Sequence, residues 1–160
     1  MQVKSFASRH VRLSLSDFEA DPHDLTVGLP APDIRFRRKG DLISQGRGRP
    51  AAKSTITVLY GFDGAVVWDD AFAGLVESLG GMTSLKQLLL RVSPVDQHIH
   101  FQIPARGSLY QDSNSLSRTT LDALQDLRLW VGFDFSDYDP TDPTHLDPRQ
   151  AAECDEKSGA

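Results

Sequence analysis

His98-Ile99-His100-Phe101-Gln102-Ile103 alternates polar and apolar residues without a break. A period of two puts both histidines on one face of a strand and Ile99, Phe101 and Ile103 on the other. Neighbouring imidazoles are donors that zinc accepts, and His10 and Asp134 on other strands could complete a ligand set. Alternation produces such pairs on any polar sheet face, so the spacing does not specify a metal, and none is expected. Serine, histidine and aspartate are plentiful, yet no Gly-x-Ser-x-Gly turn or similar nucleophile setting occurs. The acidic pairs Asp69-Asp70 and Asp21/Asp24 fall where helices should start, a position that the helix dipole favours for carboxylates. No catalytic residue and no cofactor is assigned, and the chain reads as a non-enzyme.

A second chemistry is carried by charge. Between residues 35 and 53, Arg35, Arg37, Arg38, Lys39, Arg47, Arg49 and Lys53 face a single acid, Asp41, a local balance of +6. From Asp134 to the end the balance is −6, with Asp134, Asp137 and Asp139 at its head. The basic segment could hold the phosphates of a nucleic acid or nucleotide, with Phe36 and Phe62 as stacking surfaces. Against that, the net charge is −5 and no RNA-binding signature is present. Gly46-Arg47-Gly48-Arg49 also lacks the strand–helix context of a phosphate loop. A protein-binding role is favoured, with Arg35, Arg37, Arg38, Arg47, Arg49, Asp134, Asp137 and Asp139 as partner-binding residues.

These residues need a frame. Val11 to Ser16 alternates and reads as a first strand, starting near Phe6, and Thr55 to Tyr60 is a β-branched second one ended by Gly61. His98–Ile103 and Leu129–Phe135 are the third and fourth, the last with Leu129, Val131, Phe133 and Phe135 on its core face. Asp21 and Pro22 start a short helix that Gly28 and Pro30 stop. Trp68, Phe72, Leu75, Val76 and Leu79 recur at helical spacing, with Asp69 near the cap and Gly80-Gly81 as the stop. Leu85, Leu88 and Leu89 mark another short helix, capped at Thr83 or Ser84. Leu121, Leu124 and Leu127 mark a last one, with Ser117 as N-cap and Leu116 and Leu121 as a hydrophobic staple. Pro30 to Lys53 has little periodicity and reads as a long solvated loop. The expected fold is α+β: one four-stranded sheet built from two β-α-β halves, helices on one face, ferredoxin-like in plan.

A chain of 160 residues suits one domain with a proper core, expected over 1–138, followed by an acidic, Pro-rich and disordered tail at 139–160. Cys154 is the single cysteine, which excludes a disulfide framework and a cysteine metal site. No apolar run approaches the ~20 residues of a membrane span. The first residues lack a signal peptide's apolar core, so a cytoplasmic setting is expected.

The ordered series Asp17-Phe18, Asp21-Pro22, Leu25-Thr26, Gly28-Leu29-Pro30 and Arg38-Lys39-Gly40-Asp41 resembles the bacterial domain of unknown function 4279 family. The helix from Leu116-Ser117 through Leu124 and the aromatic strand after it also fit, so the resemblance spans roughly residues 6–139. Where the family carries a tryptophan in the strand after the Lys-Gly loop, this chain has Val58 and Leu59. The resemblance implies a small cytoplasmic protein. It also implies a partner, because some members are encoded beside secreted toxins as immunity proteins. It brings no catalytic residue. The functional expectation is an immunity protein that binds a cognate toxin and covers its active site. A nucleic-acid-binding module using loop 35–53 is the less favoured alternative.

Overall fold

A computed structural model describes residues 10–43, 48–62, 66–104 and 115–136, with backbone alone at 103, 104, 135 and 136. In chain order the elements are β1 (His10–Ser16), α1 (Pro22–Thr26), β2 (Ile34–Arg37), β3 (Thr55–Gly61), α2 (Trp68–Ser78), α3 (Met82–Val92), β4 (Asp96–Pro104), α4 (Arg118–Asp126) and β5 (Trp130–Ser136). The strands form one five-stranded mixed sheet in the order β2-β3-β1-β4-β5. β1 lies at its centre, antiparallel to β3 and β4. β2 is antiparallel to β3, and β5 is parallel to β4.

The expected four strands and ferredoxin-like plan are corrected by this sheet. The added strand, β2, falls inside the stretch read as loop. Its four residues alternate as Ile34-Arg35-Phe36-Arg37, too briefly to stand out between prolines and glycines, and it gains its partner in β3 only through folding. The first half is not a parallel β-α-β unit either, since β1 and β3 are antiparallel neighbours. β4, α4 and β5 do form a strand–helix–strand unit with parallel strands.

Alternation decides which face is covered. Val11, Leu13, Leu15, Ile56, Val58, Ile99 and Phe101 are fully buried and join Phe72, Leu75, Leu79, Leu85, Leu88 and Leu124 of α2, α3 and α4 in one core. Each such side chain contributes roughly 1.5–3 kcal/mol on burial. Gly74 on α2 permits a close approach, because a β-carbon there would collide with the Tyr60 ring on β3. The caps at Asp21 and Ser117 form as expected: their side chains accept from the His23 and Thr120 backbone N–H groups. In α2 the cap position is Val67, with Asp69 close to it in the first turn as expected; its carboxylate accepts from the Ser117 N–H at 3.0 Å, joining the starts of α2 and α4. Gly81, not Thr83 or Ser84, precedes α3.

Two expected core residues are corrected as well. Val131 and Phe133 share the core face but are 37% and 43% exposed, because β5 is an edge strand. Phe133 stacks on Trp68 and Phe101 at 4.9 and 5.8 Å between ring centres. Leu121 is 48% exposed, so the expected staple with Leu116 does not bury it. The expected tail at 139–160 lies outside the described residues.

Candidate functional site

The opposite sheet face carries polar side chains that the described helices leave uncovered. The strand registers align them in rows. One row runs Arg35, Thr57, Ser14, His98, Trp130 across all five strands. The next brings Leu59, Arg12, His100 and Gly132 together, and a third aligns His10, Gln102 and Asp134. Trp130 stands at one end of the first row, 71% exposed.

The centre of this face is an Arg12–Asp134–His100 cluster. Arg12 Nη2 donates to Asp134 Oδ2 at 2.9 Å, and His100 Nδ1 lies 3.2 Å from the same oxygen. The His100 contact is a close approach without hydrogen-bond alignment: Nδ1 and Arg12 Nε are both buried and, among the described residues, have no hydrogen-bond partner. Gly132 makes this arrangement possible. A β-carbon there would sit 2.6 Å from His100 Nδ1, so a side chain would push the imidazole out of place. His98 lies beside it, with ring centres 5.8 Å apart. Burial, then the nearby Arg12 charge, holds the His10 imidazole below its usual range, so it stays neutral near pH 7.

Among the described residues no group of three histidine, cysteine or acidic side chains is arranged to hold a metal ion. His10 is separated from His98 by four register positions, and Asp134 is engaged by Arg12. Nor does any serine, threonine or cysteine hydroxyl or thiol among these residues hydrogen-bond to His98 or His100, so no nucleophile–base pair is assembled there.

The basic segment is divided by the fold. Arg35 and Arg37 point to the uncovered face from β2, whereas Arg38 is held at the start of α1 by Asp21 at 3.0 Å. That bond, with the His23 N–H, keeps the Asp21 carboxyl below its usual range. Arg35 pairs with Asp33 at 3.1 Å. Lys53 sits between Asp17 and Asp96, whose carboxylates raise its pKa. Arg49 lies beside the Leu42–Pro50 bridge, where its carbonyl accepts from Ile43, away from these strands. Arg47, Asp137 and Asp139 lie outside the described residues. Asp134 therefore belongs to the sheet cluster, and three of the seven basic residues, Arg35, Arg38 and Lys53, are paired with acids.

Arg12 and Trp130 were not among the residues singled out in the sequence. Their only local signal is alternation out of phase with the core, and only the register places them beside His100 and His98. Comparison with protein-family models, characterised proteins and solved structures finds no match to the chain. Among the described residues no helix is long and apolar enough to cross a membrane.

Proposed function

We propose that the chain is an interaction protein that binds a cognate bacterial toxin with the uncovered face of its sheet and neutralises it by covering its active site. The observation that carries a binding role is Trp130, 71% exposed on β5 beside half-buried His98, on the same sheet face as the paired Arg12–Asp134 charges. Tryptophan and arginine are the residues most often found at the energetic centres of interfaces. Charge pairs already formed within the sheet add little cost of reorganisation when a partner covers them. The toxin as partner rests on the resemblance and its short motifs.

Nucleic acid is the second reading, because Arg35, Arg37, His98 and Trp130 share one sheet face, as in single-strand binding platforms. It is weaker, because Arg12, Arg35 and Arg38 are each engaged by a carboxylate. The test is co-expression with any toxin-like protein found encoded next to this gene. Survival of the cells and a co-purifying complex are expected. Equal killing with and without the protein, and no complex, would refute the reading for that pair.

A further inference from the structure

The two edges of the sheet differ in chemistry. β2 presents Arg35 and Arg37 at alternate positions, 63% exposed in the case of the Arg35 side chain. Self-pairing there would set arginine against arginine, which destabilises a strand pair, and such charges are how natural sheets protect an edge. β5 has no such protection. Among its described side chains Trp130, Val131 and Phe133 are exposed apolar groups, Gly132 has none, and Asp134 is the one charge. No described strand pairs with its outer side.

We infer that β5 is a self-pairing edge, and that two copies join antiparallel through it, about Gly132, into a closed dimer with one continuous ten-stranded sheet. This register follows from the side chains. With Gly132 opposite its own copy, Val131 meets the partner's Phe133 on the helix side, twice by symmetry. Trp130 meets the partner's Asp134 on the uncovered side. The two Asp134 positions end up about 13 Å apart at a rise near 3.4 Å per residue, beyond the ~8–10 Å over which charges act in physiological salt. Centring the pair on Phe133 would instead place Trp130 against Ser136 and Asp134 against Gly132, with the two Asp134 positions only about 7 Å apart along the strands, within reach of each other's charge. A two-fold axis through Gly132 uses the same edge on both copies, so assembly stops at two, and the arginine edge of β2 is left at either end.

The inference shares Trp130 with the toxin reading, so its tests are placed at Val131 and Phe133. Val131 and Phe133 point to the helix side of the sheet, away from the proposed toxin-binding face. Light scattering during size-exclusion chromatography of the full chain tests it over a micromolar concentration series. The expected mass rises from 17.7 kDa to about twice that value. Val131→Lys, which gives β5 the protection that β2 has, should raise the dimer dissociation constant at least about tenfold while leaving the thermal transition cooperative. The register is tested by mixing Val131→Cys chains with Phe133→Cys chains, both in a Cys154→Ser background, against Phe133→Cys alone, which should link only if the pair is centred on Phe133. Opposed strand positions lie within disulfide reach, so oxidation of the mixture should link two chains, whereas Leu90→Cys, 80% exposed elsewhere, should not. A monomer throughout the series, species larger than a dimer, or a dimer indifferent to Val131→Lys would overturn the inference.

Discussion

Replacing Phe133 by alanine separates an edge position from a core one on the same sheet face. Phe101, its register neighbour on β4, is fully buried, whereas Phe133 is 43% exposed. Truncating a buried phenylalanine costs about 3–5 kcal/mol, the lost transfer energy plus the cavity left behind. A little over half of the Phe133 side chain is buried, against Trp68 and Phe101, and its removal opens a notch at the sheet edge and no enclosed cavity. Scaling the burial term accordingly gives roughly 1.5–2.5 kcal/mol, including the loss of ring stacking. Urea unfolding at sub-micromolar protein, where self-association does not contribute, should rank Phe101→Ala well above Phe133→Ala. Equal costs for the two would refute the edge assignment of β5.

Two further changes probe how the helices are seated. Gly74→Ala gains about 1 kcal/mol of helix propensity but drives a methyl into the Tyr60 ring, which costs about 1–3 kcal/mol, so a net loss in urea is expected. In a Tyr60→Ala background the same change should stabilise. A stabilising Gly74→Ala in the native chain would contradict the contact. Asp69 is held below its usual range by the Thr120 hydroxyl and then the Ser117 N–H, so its unfolded-state value, near 3.8, exceeds its folded one. Its contribution is therefore fully present above that value and lost as pH falls through the folded one. The stability gap between the native chain and Asp69→Ala should narrow between neutral pH and about pH 3; a constant gap would contradict the bond.

Much of the covered face could be read from the sequence because a single local period writes it. Val11, Leu13 and Leu15 alternate, Phe72, Leu75 and Leu79 follow a helix, and Asp21 and Ser117 carry caps in their side chains. β2 escaped because its stability is not local: a four-residue strand with two arginines is held by its ladder to β3. Phe133 has the pattern of a core residue, and its exposure follows from strand order, which no local period encodes. The candidate site divides in the same way. Parity alone puts His98 and His100 on one face, but bringing Asp134 to Arg12 spans 122 positions of sequence, and separating Arg38 from Arg35 requires knowing that Asp21 holds it. Charge density along the chain thus suggested one basic surface where folding makes several local ion pairs.

The most direct measurement is the affinity of the Trp130→Ala protein for the proposed toxin partner, compared with Arg38→Glu, whose side chain is held at the start of α1 by Asp21. If the uncovered sheet face is the binding surface, losing its exposed tryptophan should weaken binding about 30-fold or more, the range of an interface hot spot, while Arg38→Glu leaves it nearly unchanged. Native affinity in Trp130→Ala, with binding lost in Arg38→Glu, would contradict the account and move the interface to the basic segment.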